Sequence, residues 1–571
     1  LFVMLIITAG NVLSRKLLGS SLAFVEELTV ILFIFSSLVG AGVAAKKGSL
    51  IGLTLLYDIC PKKFRRVFFV VFLIASLFFV AILIYYGIDM VISEIESGMS
   101  TPALGVPQWI FGLSIPVGFL FLGIRLVELF HPYADEKGGG TVMDATAVLF
   151  IVFLFLMLMN VPIALCLGIS SIVGIIVMDV PLSVVPMQIY AGIGKTTLLA
   201  IPFFILAGVI MDRSGISKRL IDLADAMVGH KTGGLAIVCV VVSCFFAAIS
   251  GSGPATVAAL GAVMIPAMIR AGYGTRNSAA LMSASGSIGI IIPPSIPFVV
   301  YAGITGVSVG DIFMAGIIPG ILMGVALAIA AYIVLKRGKN KLAAREKASG
   351  KMRWTAFKDA FWGLLMPVII LGGIYGGFFT PTEAAAVAAV YGLIVGLFIY
   401  RNIKLTDLPA IFKESAVQSG SIMIIVGCAG LFAWLCQSEG ITRTVSNALA
   451  SIATTQTSFL ILVTIIFLIA GFFMEATSAM YILVPIVLPV AQSFGYDLTA
   501  LGVIISMNMA IGQITPPVGV NLYVACNIAD ITLKQISQKI IPYCLALLVA
   551  LLLVTFIPDI ALLLPKLILG Y

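Results

Sequence analysis

The succession of long apolar segments constrains this chain more than any other feature of its sequence. The stretch VFFVVFLIASLFFVAILIYYG at 67–87 is one of a dozen or more such runs, and most of them are separated by short loops. About 20 apolar residues in a helix cross the roughly 30 Å hydrocarbon core of a bilayer. Only 10% of the residues are charged, against about a quarter in soluble domains. The sequence therefore predicts an all-α polytopic membrane protein.

Two of the apolar segments are interrupted near their middle by a pair of prolines. They read GSIGIIIPPSIPFVVYAG at 286–303 and MAIGQITPPVGVNLYVAC at 509–526, about 220 residues apart. Proline removes a backbone N–H and disrupts the preceding helical turn, so each pair frees carbonyl groups. Within a membrane such groups are tolerated only where they face protein or a water-filled cavity. The recurrence of this chemistry predicts a duplicated binding device.

Each proline-broken segment follows two apolar arms that are joined by a small, polar tip. The first pair of arms is FFAAISGSGPATVAALGAVMIPAM at 245–268, and the second is GFFMEATSAMYILVPIVLPVA at 471–491. We expect the arms to be too short to cross the bilayer, which predicts two re-entrant helical hairpins. Repeats of this kind place a ligand site where the broken segments meet, near the bilayer midplane.

The first 130 residues are expected to form a four-helix region. Its predicted spans lie near 1–18, 22–45, 65–88 and 107–130. Because positively charged loops favour the cytoplasmic side, the basic loop at 46–66 is placed inside and the acidic loop at 89–106 outside.

A polar, glycine-rich stretch at 131–144 is expected to be a linker to a larger region at 145–571. The basic segment at 336–358 is expected to be cytoplasmic and divides this region into two halves. The first repeat is predicted at about 145–335 and the second at about 359–571. The basic clusters are expected to set topology and to contact lipid headgroups, with no nucleic-acid partner.

The tips and breaks offer a concentration of neutral oxygen atoms. Hydroxyls come from Ser250, Ser252, Ser295, Thr477, Ser478 and Thr515, and freed carbonyls lie around Gly251, Pro293, Gly512 and Pro516. Hard cations prefer oxygen ligands, and a neutral cluster suits a monovalent cation such as Na⁺. The half-helix N-termini near Pro294 and Pro517 suit a carboxylate. Because no Lys or Arg lies in either tip or break, the ion and the anion are expected to depend on each other.

Each of these residues also has a plainer interpretation. Isolated Ser, Thr and Gly in membrane helices commonly pack helices or bond to the preceding turn, so only the recurrence in both halves favours binding. Glu475 is either an ion or substrate contact or a residue at an aqueous hairpin tip. Asn508 and Asn521 flank the second break and are either ligands or bridges between helices.

Two motifs are set aside. AGIGKTTL at 191–198 is similar to a phosphate-binding loop, but the required first glycine falls on Ile189, so no nucleotide is expected. Glu383 follows Thr380 and Pro381 in a pattern that predicts a capping box at a helix start. The only histidines are His131 and His230, and the eight cysteines are scattered without metal-ligand spacing, so an intramembrane enzyme is not expected.

The tips and breaks lie in stretches that resemble a known family. ISGSGPATVAALGAVMIPAM, IIIPPSIPFVVYAG, TPTEAAAVAAVYG and GQITPPVGVNLYVA resemble the large membrane subunit of tripartite ATP-independent periplasmic (TRAP) transporters, over essentially all of 142–571. Residues 1–130, with EEL at 26–28 and PKKFRR at 61–66, resemble the small four-helix membrane subunit. The tip SGSGPATVAALG looks more like C4-dicarboxylate-type members than like sialic-acid-type members.

This resemblance implies a Na⁺-driven elevator-type importer with inverted repeats in the bacterial inner membrane. A periplasmic substrate-binding protein would deliver a small organic acid, with a C4-dicarboxylate favoured and sialic acid as the alternative. By motif position, the implied ion-site residues are Ser250, Gly251, Ser252, Pro293, Thr515, Pro516 and Gly519. The implied substrate residues are Ser295, Glu475, Thr477 and Asn508.

One departure from the family pattern concerns the junction. Fused members carry an additional crossing helix between the subunits, whereas about 14 polar residues are too few for a span. Either the large region starts on the opposite side, or two polypeptides are written as one chain. The alternative function, from another class, is an ion or organic-anion channel. A channel filter uses a repeated ring of carbonyls, and two unequal halves do not supply one.

Overall fold

The structure is a computed structural model, and it describes residues 1–46, 62–128, 145–159, 161–230, 233–337 and 347–570. Within these ranges it contains helices and one isolated bridge between Ser100 and Pro107, but no β-strand. Twelve helices in the described ranges are long and apolar enough to cross a membrane. The predicted all-α polytopic membrane fold is therefore confirmed.

The helices are numbered in chain order. Those up to the first hairpin are α1 (Phe2–Leu17), α2 (Phe24–Lys46), α3 (Lys62–Ser97), α4 (Trp109–Gly112), α5 (Ser114–Glu128), α6 (Ala145–Leu158), α7 (Ile163–Val177), α8 (Val184–Ile193), α9 (Ala200–Arg213) and α10 (Ile216–Val228). The next are α11 (Gly234–Ser250), α12 (Gly253–Arg270), α13 (Thr275–Ser287), α14 (Ile296–Thr305), α15 (Val309–Arg337), α16 (Gly350–Tyr375) and α17 (Pro381–Ile394).

The remaining helices belong to the second half of the large region. They are α18 (Leu408–Ser438), α19 (Ile441–Ile452), α20 (Gln456–Phe473), α21 (Ala476–Ser493), α22 (Leu498–Gly512), α23 (Val520–Ala529), α24 (Leu533–Phe556) and α25 (Asp559–Leu569). Short 3₁₀ or π turns occur at Thr196–Leu199, Ile288–Ile290, Val395–Ile399 and Leu405–Asp407.

The chain divides into two compact units. The first unit comprises Leu1–Pro202, Phe412–Leu449 and Met480–Ile486. Within it α2 and α3 both pack on α5, and α6 packs on α7. A side chain on Gly40 would meet the backbone of Ala416, and one on Gly420 would meet the backbone at Ala41. Glycine at both positions therefore allows α2 and α18 to approach closely.

The second unit comprises Phe203–Ile411, Ala450–Ala479 and Val487–Tyr571. Here α12, α13 and α23 pack on one another, α13 and α15 both contact α24, and α20 packs on α22. The Tyr301 hydroxyl on α14 donates to the carbonyl of Leu498 at 2.7 Å, and this tyrosine is fully buried. The core of the unit is therefore built from both halves of the large region.

The structure corrects two details of the predicted spans. The third span does not end near 88, because α3 continues through the acidic stretch at 89–97 and runs to Ser97, where Gly98 takes a positive φ of 63°. The predicted outside loop at 89–106 is correspondingly shorter. The predicted linker at 131–144, and most of the predicted inside loop at 46–66, lie outside the described residues and stay predictions.

The hairpin arms are longer than we expected from the sequence. Helices α12, α20 and α21 each have 18 residues and are apolar enough to cross a membrane, so the prediction that the arms are too short is wrong for these three. Helix α11, the first arm of the first hairpin, has 17 residues and is not among the twelve long apolar helices. The helices extend past the quoted stretches, for example to the Thr455 cap before α20. The two predicted hairpins, at 245–268 and 471–491, are nevertheless each interrupted by a short break, at 251–252 and at 474–475.

The capping box at the start of α17 is confirmed. The Thr380 hydroxyl accepts the backbone N–H of Glu383, and the Glu383 carboxylate accepts the backbone N–H of Thr380 at 2.9 Å. Glu383 therefore serves to begin a helix.

Candidate functional site

The first tip is a two-residue break between α11 and α12. Gly251 ends α11 with a positive φ of 63°, and Ser252 begins α12 as its N-cap. The Ser250 hydroxyl lies 3.0 Å from the hydroxyl of Thr256, which donates to the carbonyl of Ser252 at 2.8 Å. Three oxygen atoms of the tip therefore lie within one hydrogen-bonded cluster.

The first break lies directly against this tip. After α13 the chain turns through Pro293 and Pro294, whose peptide bond is cis, and α14 begins after the N-cap Ser295. The backbone N–H of Ile296 donates to the carbonyl of Gly251 at 3.2 Å. This hydrogen bond joins the tip of the first hairpin to the N-terminus of the short helix α14.

The second half repeats the arrangement with different residues. The backbone N–H of Val518, just after the second proline pair, donates to the carbonyl of Phe472 at 3.3 Å. A Cβ on Gly512 would lie 2.5–2.8 Å from backbone atoms of Gly471. The second hairpin and the second break are therefore in direct backbone contact. Helix α23 begins at Val520, three residues after Pro517, with Gly519 as its N-cap.

Glu475 is the N-cap of α21. Its carboxylate accepts the backbone N–H of Thr477 at 2.9 Å and the hydroxyl of Thr477 at 3.3 Å. The Ser478 hydroxyl is buried and, within the described chain, has no hydrogen-bond partner. The known contacts of Glu475 are those of a helix start, and its role in substrate contact stays a prediction.

We expect the Glu475→Gln variant to keep uptake within about twofold, because a glutamine oxygen can still accept the Thr477 N–H. The Glu475→Ala variant should lose about 1 kcal/mol of stability, the usual contribution of a cap. Thermal unfolding and transport of both variants would be compared. Abolished uptake in a normally folded Glu475→Gln protein would assign the negative charge to ion or substrate contact.

Several predicted oxygen donors are engaged locally. Ser295 donates its hydroxyl to the carbonyl of Ile290 at 2.6 Å. Thr515 donates to the carbonyl of Ile511 at 2.7 Å and lies 3.9 Å from the sulfur of Cys544. Pro516 forms the second cis bond, to Pro517. Among the described residues no hydrogen bond joins Glu475, Thr477 or Ser478 to either break. Hydroxyl oxygens that donate one hydrogen bond still carry lone pairs that a cation can use.

Three side-chain amides with buried oxygens lie in or beside the second break, and the sequence analysis named Asn508 and Asn521 but missed Gln513. Gln513, Asn508 and Asn521 are 3%, 0% and 0% exposed, and in the described chain none of their side-chain oxygens has a hydrogen-bond partner. A Cβ on Gly253 would meet the Gln513 oxygen and would lie 3.1–3.2 Å from the Asn521 amide. Two unsatisfied acceptors therefore lie together against the start of α12.

Asn521 also forms a bridge between two helices, which is one of the two roles that the sequence analysis considered for it. Its amide donates to the carbonyl of Ser283, and the Ser283 hydroxyl donates to the carbonyl of Asn521, both at 3.3 Å. Gln513 was visible in the sequence as an amide three residues before Pro516, the first residue of the second proline pair. A polar side chain at that depth in an apolar segment is the signal that could have identified it.

Comparisons with known proteins identify the family. The DctM component model of tripartite ATP-independent periplasmic transporters matches residues 150–560, and the DctQ component model matches residues 4–131. The chain therefore belongs to the TRAP transporter family, with both membrane components in one sequence. It is an inner-membrane permease of a family that works with a periplasmic substrate-binding protein.

Three relatives show the range within the family. The isethionate TRAP transporter permease protein DctMQ of Oleidesulfovibrio alaskensis is 36% identical over 95% of this chain and 88% of that protein. The C4-dicarboxylate TRAP transporter large permease protein DctM of Rhodobacter capsulatus is 40% identical over 74% of this chain and 98% of its own length. The sialic acid TRAP transporter permease protein SiaT of Haemophilus influenzae is 29% identical over 98% of this chain and 96% of its own length.

Proposed function

We propose that this TRAP permease imports a small organic acid anion together with Na⁺, which is a co-transported substrate. The observation that carries the proposal is the set of buried, unpartnered amide oxygens of Gln513, Asn508 and Asn521. A buried acceptor without a donor costs about 1–3 kcal/mol, and a bound cation would remove this cost. Gln513 and Asn521 lie together against the start of α12, so these two amides are the strongest candidates for binding one ion. The tip hydroxyls of Ser250 and Ser252 supply further oxygen atoms of the same kind.

The anion is proposed to bind at the N-termini of α14 and α23. Each is a ten-residue helix that begins just after a proline pair. Backbone N–H groups and the helix dipole at such ends favour a carboxylate. Because the tips and breaks contain no Lys or Arg, the bound Na⁺ supplies positive charge, which makes ion and anion binding cooperative. Delivery across the membrane then follows an elevator movement, as the family resemblance implies.

For the substrate we propose a C4-dicarboxylate, in line with the tip sequence and with the Rhodobacter capsulatus relative. Isethionate is the second candidate, because the relative named for it matches both components of this chain. A thermal-shift screen of the cognate binding protein against succinate, isethionate and sialic acid separates the candidates. Stabilisation by only one of them identifies the cargo.

The transport proposal is tested in proteoliposomes that contain the purified chain and receive the loaded binding protein. We expect uptake that saturates with substrate and requires an inward Na⁺ gradient. Replacing Na⁺ by K⁺ should abolish it, whereas adding ATP should change nothing. Equal uptake in both salts would refute Na⁺ coupling, and non-saturating flux would favour the channel alternative.

A further inference from the structure

A groove between α10 and α16, both within the second unit, is not part of the transport site described above. Its volume is about 450 Å³. The lining residues come from one face of each helix, and six of them are polar or charged: Arg219, Asp222, Ser349, Lys351, Thr355 and Asp359. None of these residues belongs to a tip or a break.

Charged side chains of both signs line the groove. Two cationic side chains, Arg219 and Lys351, face two carboxylates, Asp222 and Asp359. Partial burial raises the pKa of Asp222, and Lys218, Asp225, Arg219 and Asp359 all lie close enough to influence its ionisation. Two carboxylates in one groove repel each other, so a ligand cation between them is favourable. A ligand with one positive and one negative group complements this arrangement.

Arg219 is held in place before any ligand binds. Its guanidinium carbon lies 3.7 Å from the ring centre of Tyr400, and its Nη1 donates to the carbonyls of Gly215 at 3.0 Å and Ser214 at 3.4 Å. The Tyr400 hydroxyl in turn donates to the backbone carbonyl of Asp359. Both hydrogen bonds of this side chain within the described chain come from Nη1, so Nε and Nη2 are left to bind an anionic group. A fixed, planar guanidinium is well suited to phosphate.

Aromatic residues on α16 place the groove at the membrane surface. Trp354, Phe357, Phe361 and Trp362 are 58%, 38%, 39% and 36% exposed, and successive rings lie 5.6, 6.1 and 5.6 Å apart. Exposed tryptophan is typical of the headgroup level. The same helix begins within the basic 336–358 segment, which favours the cytoplasmic side.

We propose that this groove binds the headgroup of an aminophospholipid of the inner leaflet, with its phosphate at Arg219 and Lys351. The primary ammonium lies between Asp222 and Asp359. A primary ammonium has N–H donors for carboxylates, as the ammonium of lysine does, whereas a quaternary choline has none. An anionic headgroup without an amine places no cation between the two carboxylates.

The proposal is tested by lipid binding to the purified full chain, measured by native mass spectrometry. The probes are phosphatidylethanolamine, phosphatidylcholine and phosphatidylglycerol with identical acyl chains, and inorganic phosphate as the competitor. We expect phosphatidylethanolamine to bind about fivefold more tightly than phosphatidylcholine, a ratio that corresponds to roughly 1 kcal/mol. Equal binding of the two lipids, or displacement of the bound lipid by free phosphate, would overturn the proposal, and neither result depends on a variant.

Matched variants assign the preference to the groove. The double variant Asp222→Asn, Asp359→Asn preserves side-chain size and should abolish the preference for ethanolamine. Lys351→Gln should weaken the binding of phosphatidylethanolamine and phosphatidylcholine equally, because Lys351 is proposed to contact the phosphate that both lipids share. Lys347→Gln, at an exposed position outside the groove, is the control and should change nothing. A preference that survives in a folded double variant would contradict this placement. Succinate uptake in proteoliposomes tests the transport proposal independently.

Discussion

The Gly512→Ala variant is expected to lose most Na⁺-driven uptake and to unfold at a lower temperature than the wild type. The added Cβ would lie 2.5–2.8 Å from the Cα, carbonyl carbon and oxygen of Gly471. These are backbone atoms, so relief requires the second hairpin to move away from the second break. Overpacking of this kind typically costs about 1–3 kcal/mol, and here it separates the elements that position the proposed site.

The control for this variant is Gly372→Ala. Gly372 also lies within a helix of the second unit, but a Cβ there has no heavy atom within 4 Å. We expect normal uptake and unchanged or slightly higher thermal stability, because alanine favours helix. Wild-type behaviour of Gly512→Ala in both assays would show that the contact between hairpin and break is not required.

The Gln513→Leu variant is expected to be more stable than the wild type in Na⁺-free buffer and less responsive to Na⁺. Replacing a buried, unpartnered acceptor with an apolar side chain removes its desolvation cost, about 1 kcal/mol or more. If that oxygen binds Na⁺, its loss weakens Na⁺ binding by about tenfold, the equivalent of roughly 1.4 kcal/mol. The Na⁺ concentration for half-maximal uptake should rise accordingly.

Thermal unfolding in Na⁺ and in K⁺ measures both effects, because a ligand of the native state raises the unfolding temperature. Gln437→Leu supplies the control, since Gln437 is exposed on α18. It should leave the Na⁺ response unchanged. An unaltered Na⁺ response in Gln513→Leu would remove this oxygen from the ion site.

The local interruptions of the fold could be predicted from the sequence because their causes are local. Proline pairs break helices wherever they occur, which located the breaks at 293–294 and 516–517. The Gly251–Ser252 tip and the Thr380 capping box follow from glycine and N-cap chemistry in the same way.

What the sequence could not supply was the set of neighbours that long-range packing brings together. Asn521 lies opposite Ser283, 238 residues earlier, and Gln513 lies against Gly253. Neither pairing leaves a local pattern. Helix lengths were also misjudged, because α3 continues past 88 through an acidic stretch and the apolar sequence continues outward from both tips. No proline or glycine stops these helices earlier.

Binding of radioactive sodium to the purified chain tests the central claim most directly. The account predicts saturable binding that excess unlabelled Na⁺ displaces and K⁺ does not, that is strengthened by the transported anion, and that falls in Gln513→Leu. Binding that does not saturate, or that K⁺ displaces as readily as Na⁺, would contradict the claim that the two breaks form a sodium site.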